Sequence, residues 1–169
     1  MSRNLDLAAS RTKLAALEAV RGGLAAAPAR EQRLRRVLDV IREAALNDSE
    51  SGAFDYAVID CPPSIGLLTY NAIAAADEIL IPVETSFFSL QGATKQAATI
   101  QSLGRRLGTR PATRLLATIH DPSHALAQDL REELGKRFGD AVIPISIRQD
   151  TKVREASSYG QSVIEYATD

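Results

Sequence analysis

The apolar positions of this chain change period along its length. From Arg30 onward, Leu34, Val37, Leu38, Ile41 and Ala45 recur at helical spacing, with Arg33, Arg35, Arg36 and Arg42 off the stripe. That predicts an amphipathic helix with a solvated basic face. Upstream, Leu14, Ala16, Leu17 and Val20 give a weaker helical pattern over residues 12–27, broken at Gly22-Gly23. Leu5 and Leu7 alternate with Asn4 and Asp6 as a strand end would, and Ser10 is placed to cap that weaker helix. After a polar stretch at 47–52 the pattern switches. Residues 54–59 form an apolar run without alternation, which predicts a strand covered on both faces. Pro62 and Pro63 have no N–H to donate, so the ladder stops and leaves Asp60 at the strand's carboxyl end.

Strand and helix then alternate. A short helix is expected over 67–76, an apolar run at 79–83 and a long helix over 91–107. Pro82 places the 79–83 run at a sheet edge or at a strand's last residues. A third strand at 114–119 ends in His120-Asp121-Pro122. Leu126, Leu130, Leu134 and Phe138 then mark a helix over 125–138 that Gly139 stops. A fourth strand, 142–145, leads to Arg148-Gln149-Asp150. This order predicts an α/β fold: a mostly parallel sheet with helices on both faces, built from right-handed βαβ units. Residues 1–52 read as a helical N-terminal part and 53–169 as the βαβ core of a single partial domain.

Parallel strands deliver their carboxyl ends to one rim, where open α/β sheets bind ligands. Asp60, then Glu84 to Ser86, then His120 with Asp121, then Arg148 with Gln149 stand at those ends. For Asp60 two readings stay open here, a carboxylate facing a ligand or a cap for the next helix. Composition changes little. At 169 residues, 45% hydrophobic and net charge −1, the chain is sized for one ordinary domain and is not a generally basic nucleic-acid binder. One cysteine excludes an internal disulfide and fits a reducing cytoplasm. No signal peptide is read at the start, and no apolar run reaches the length of a membrane span.

The stretch from Tyr56 to Ala72, reading Tyr-Ala-Val-Ile-Asp-Cys-Pro-Pro-Ser-Ile-Gly-Leu-Leu-Thr-Tyr-Asn-Ala, resembles the second nucleotide motif of the ParA/Soj partition ATPases, relatives of MinD. The resemblance continues through residues 75–83 and 87–92 and returns at 137–139 and 152–160. It implies a P-loop NTPase-like fold that sandwiches ATP and Mg²⁺ in a dimer, binds DNA without sequence preference and is released by a ParB-like centromere-binding partner. It also implies a cytoplasmic, nucleoid-associated protein. On that resemblance Asp60 is the Walker B carboxylate, holding Mg²⁺ indirectly. Cys61, Pro62, Pro63 and Ser64 form the segment that responds to the γ-phosphate. Ile147, Arg148 and Gln149 border the adenine, and Lys152 and Arg154 meet DNA phosphates.

The departures are equally informative. The family's glycine-rich phosphate loop, Gly-x-x-x-x-Gly-Lys-Ser/Thr, does not occur in these residues, and Gly22-Gly23 is followed by no Lys-Thr. The family's first switch, with its catalytic Asp, is also unmatched, as is a last helix beyond residue 165. Ser123 stands where relatives carry a DNA-contacting Arg. The expectation is a partition-type chain deficient in ATP hydrolysis by itself. The alternative is a non-catalytic module that pairs with a full-length homologue or a ParB-like partner. His120 and His124, four apart beside Asp121, have metal-site spacing, but Pro122 interrupts the turn. Ser64 lacks the glycine flanks of a nucleophile elbow, and Cys61 is read as a small structural residue.

Overall fold

The computed structural model describes residues 5–10, 14, 16, 26–47, 54–62 and 64–167. The chain divides into two compact units, one of Met1–Asp77 with Ser102–Pro111, the other of Glu78–Gln101 with Ala112–Asp169.

In the first unit, a 3-10 turn (Arg30–Gln32) opens helix α1 (Arg33–Asn47), and α2 follows at Leu67–Ala75. Ala29, at φ 49°, turns the chain into the first of these. Helix α2 buries Asn71, Ala72, Ile73 and Ala74. Asn71 fastens the two helices: its Oδ1 accepts from the Leu34 N–H at 3.1 Å, and its Nδ2 donates to the carbonyls of Arg30 and Leu67, each at 2.9 Å. Arg35 donates to the Ala74 carbonyl at 3.2 Å, placing a cation at the negative end of α2. Gly104 is required for space: a Cβ there would meet the Thr109 carbonyl oxygen at 3.0 Å.

The second unit holds a three-stranded parallel sheet in the order β1 (Glu78–Glu84), β2 (Ala112–His120), β3 (Val142–Arg148). Pro82 lies in β1, an edge strand of this sheet, where a missing N–H is tolerated. Helix α3 (Phe87–Leu107) begins in this unit, and α4 (Ala125–Phe138) crosses between β2 and β3. Ile81, Val83, Leu115 and Ala117 pack with Ala93, Ala97 and Ile100 of α3 and Leu134 of α4 to form the core. Arg137 of α4 donates to Thr94 Oγ1 of α3 at 3.2 Å, and Arg131 donates to Ser146 Oγ and the Pro144 carbonyl of β3, each at 2.8 Å. Leu80, alternating with the buried Ile81, stays half-exposed. Helices α5 (Thr151–Ser158) and α6 (Val163–Tyr166) end the described chain, joined by a stacked pair, Tyr159 and Tyr166, with centroids 5.7 Å apart.

Two sequence expectations are corrected. Residues 54–62 follow a non-helical course without ladder pairing, and Tyr56 and Val58 are 89% and 95% exposed, so the buried strand ending at Asp60 does not form. An apolar, β-branched run marks what a segment could bury; a strand also needs a neighbour, and no described strand pairs with this one. Residues 5–10 likewise carry no regular structure and are exposed, so Leu5 and Leu7 end no strand and Ser10 caps no described helix. The helix expected over 12–27 lies largely outside the described residues.

Candidate functional site

The carboxyl rim of the three-stranded sheet is built as the alternation of strands and helices requires. Glu84 is in register with Thr118, and the Thr85 N–H donates to the Thr118 carbonyl at 3.3 Å. His120 is in register with Arg148, and the Gln149 N–H donates to the His120 carbonyl at 3.1 Å. The residues expected at three strand ends, Glu84 to Ser86, His120 with Asp121, and Arg148 with Gln149, therefore share one edge. Ser86 and Ser89 hydroxyls lie 2.7 Å apart where α3 starts.

Ile147, Arg148 and Gln149 are exposed on this rim. Asp150 then caps α5 by accepting the Lys152 N–H at 2.8 Å. The cap fixes where α5 begins and so where Lys152 and Arg154 project. Both are exposed. Two residues apart on a helix, they stand about 200° round from each other, so they do not share one face.

Beyond β2, Asp121 organises the turn into α4. Its Oδ1 accepts from the Ser123 N–H at 2.9 Å and the Ser123 hydroxyl at 2.7 Å, and its Oδ2 lies 2.8 Å from His124 Nδ1. The Ser123 hydroxyl and N–H, with His124, hold the Asp121 carboxyl down to about 2. Ser123 therefore serves this turn locally. No cluster of three or more His, Cys, Asp or Glu side chains able to hold a metal occurs among the described residues.

Asp60, Cys61, Pro62 and Ser64 belong to the other unit, and Pro63 lies outside the described residues. The exposed Asp60 carboxylate makes no ion pair among the described residues. Cys61 Sγ lies 3.8 Å from the Ile59 carbonyl, and loss of surrounding water together with the Asp60 charge raises its pKa. That is the opposite of an activated thiolate. The Ser64 carbonyl accepts from Thr69 Oγ1 at 2.6 Å, tying the end of this segment to the first turn of α2.

The profile of a family described as an AAA domain matches residues 1–112. The chain is 34% identical over 138 residues to the chromosome partitioning protein ParA of Caulobacter vibrioides, covering 81% of this chain and 49% of that protein. To the sporulation initiation inhibitor protein Soj of Bacillus subtilis it is 33% identical over 164 residues, covering 96% and 60%. The chain belongs to the ParA/Soj-type partition ATPase family. It spans about half the length of the curated relatives it matches.

The fold agrees with this assignment. Cobyrinic acid a,c-diamide synthase from Mycobacterium smegmatis, solved with bound ADP and magnesium, superposes with a TM-score of 0.62 at 25% identity, over 89% of this chain and 62% of that one. Apo McdA from Cyanthece shares the fold alone, with a TM-score of 0.58 at 20% identity over 80% and 57%.

One rim residue has a role that its sequence context does not reveal. In the sequence His120 reads only as a metal partner for His124. In the structure the two histidines separate in role: His124 pairs with Asp121 at the surface, and His120 is buried.

Proposed function

We propose that this chain acts in DNA partition as the magnesium-side and base-side portion of a ParA-type nucleotide site. The carboxyl rim of β1, β2 and β3, where Glu84, His120 and Arg148 meet at one edge, is the observation that carries this reading. Open α/β sheets hold ligands at that edge, and a solved neighbour of this fold was obtained with ADP and magnesium. Ile147, Arg148 and Gln149 border the adenine. Cys61, Pro62, Pro63 and Ser64 form the segment that senses the γ-phosphate.

The residues fit the two ends of such a ligand unequally. Asp60 offers a free carboxylate that would hold Mg²⁺ through a water, as Mg²⁺ usually requires where phosphates supply the remaining ligands. The rim offers exposed polar groups to a base. The phosphates have no matching cradle in this sequence, because the run of backbone N–H groups and the lysine of a phosphate loop are not among its residues. Bound Mg²⁺ would neutralise phosphate charge. Asp60 would orient the water between ion and protein, and the rim would hold the base. Hydrolysis by this chain alone is then slow or nil.

On the same reading the chain is a cytoplasmic, nucleoid-associated protein. It binds DNA without sequence preference through Lys152 and Arg154, dimerises or pairs with a full-length homologue, and answers to a ParB-like partner. Replacing Lys152 with alanine is expected to weaken DNA binding uniformly across sequences. It should also flatten the dependence of log affinity on log salt by about one for each site lost. Fluorescence anisotropy across a salt series measures this directly. Unchanged affinity and slope would remove Lys152 from the interface.

A second reading, a non-catalytic module pairing with a complete homologue, is favoured by residues 54–62. Their exposed Tyr56 and Val58 offer apolar surface that a partner would cover. Complex formation that proceeds equally well without nucleotide would favour this reading over the first.

A further inference from the structure

His120 combines three features that no structural role accounts for. It sits at the carboxyl end of β2, the central strand, where a ligand would be held. The residue before it, Ile119, has φ 50°, an outlier for a β-branched side chain. The strand register explains why. Between the pairs Ala117↔Ser146 and His120↔Arg148, β2 advances three residues while β3 advances two. Ile119 is thus the extra residue of a bulge, the device by which a strand re-aims the side chain that comes next. Strained backbone of this kind costs on the order of 1–3 kcal/mol and gathers at functional sites.

The re-aimed imidazole is only 8% exposed, and its Nδ1 is fully buried without a hydrogen-bond partner. Its protonation is decided by that burial. A buried N–H donor with no acceptor forfeits its hydration without return, and a buried lone pair is the lesser loss. The proton therefore rests on Nε2. That nitrogen is not sealed in, and it too has no partner among the described residues. The ring is left presenting one directed donor at the rim, next to Arg148 and to the Gln149 N–H that holds the His120 carbonyl.

We propose that His120 is a base-recognising residue, donating its Nε2–H to a ring nitrogen of a purine seated at the carboxyl rim beside Arg148 and Gln149. The inference rests on the nucleotide reading of the rim, and it adds the group that selects the base. A purine ring supplies acceptor nitrogens at its edge and a flat body suited to the space beside exposed Ile147. The Ile119 bulge is then the strain that holds the donor ready.

The test uses the whole chain, with side-chain ¹⁵N NMR of His120 and millimolar Mg²⁺-ADP as probe, and inorganic tripolyphosphate as the base-free arm. Without ligand, the expected spectrum shows the proton on Nε2 and Nδ1 as a bare acceptor. ADP is expected to shift the Nε2–H signal, and tripolyphosphate to leave it in place. His120→Phe should weaken ADP binding about three- to tenfold, the loss of one hydrogen bond, with His120→Gln recovering most of it. A proton found on Nδ1, equal shifts from tripolyphosphate and ADP, or a His120→Phe chain that binds ADP as well as the parent would each overturn the proposal. If His120→Phe does not fold, the parent's two ligand arms decide alone. A parent whose spectrum ADP leaves unchanged throughout removes the nucleotide reading itself. An ADP effect that bypasses His120 removes only this inference.

Discussion

Truncating Leu115 to alanine is expected to destabilise the second unit by about 2–5 kcal/mol, the range for a large-to-small change in a packed core. Leu115 is 1% exposed, and its strand neighbours in register are Ile81 on one side and Val142 on the other. Removing it takes apolar area out of the middle of the core and leaves a void between β2 and the helices above it. Neither flanking strand can move in to fill it while its own ladder is kept. Set against a typical domain stability of about 5–15 kcal/mol, that is a large fraction. Urea unfolding followed by circular dichroism reads the change. Leu80→Ala, on the neighbouring strand but half-exposed, is the control and should cost under about 1 kcal/mol. Equal losses for the two variants would show that the core has been misplaced.

The second large effect lies in the first unit. Asn71→Leu is close to isosteric and keeps the buried volume, yet it removes both halves of a polar clasp. Asn71 is 5% exposed, and all three of its contacts run to backbone groups of α2 itself or of the turn that opens α1. Each buried backbone group stripped of its partner costs about 1–3 kcal/mol. Because α1 is largely open to water, the lower end applies, and about 2–3 kcal/mol is expected. Hydrogen exchange at the Leu34 N–H should accelerate most, since that donor loses its acceptor outright. Asn71→Asp keeps the acceptor and loses only the donor, so it should protect Leu34 while still loosening Arg30. Unchanged exchange at Leu34 in Asn71→Leu would contradict this account of the clasp.

How much of this was legible in the sequence depended on whether a residue's fate was set locally. Helix α4 begins and ends where Pro122, the apolar stripe and Gly139 place it, because start and stop signals lie within the segment. Strands β1 and β2 arise from their apolar runs, and β3 extends to Arg148, three residues past its expected end, because Ile145-Ser146-Ile147 continues the alternation. Helix α3 starts at Phe87 rather than Gln91, since Ser86 and Ser89 close its first turn before the apolar stripe begins.

What could not be read was set by neighbours. Nothing in residues 54–60 says whether a partner strand exists, and without one Val58 stays in water. The polar clasp of Asn71 depends on where α1 begins, 37 residues upstream in sequence at Leu34. The burial of His120 depends on a bulge at Ile119, and no residue type there announces it. The order of groups along the rim came from topology alone, while the identity of the ligand came only with the family.

The central claim is that this chain carries the base-side rim and the Walker B carboxylate of a partition ATPase without the means to hold its triphosphate. A calorimetric titration of the chain alone with Mg²⁺-ATP, run beside Asp60→Ala, tests it most directly. The expected result is weak binding, in the range of hundreds of micromolar or weaker, roughly −5 kcal/mol or less favourable, little changed by the substitution. Tight binding, near or below about 1 μM and abolished in Asp60→Ala, would contradict the claim, because these residues would then be cradling the phosphates by themselves.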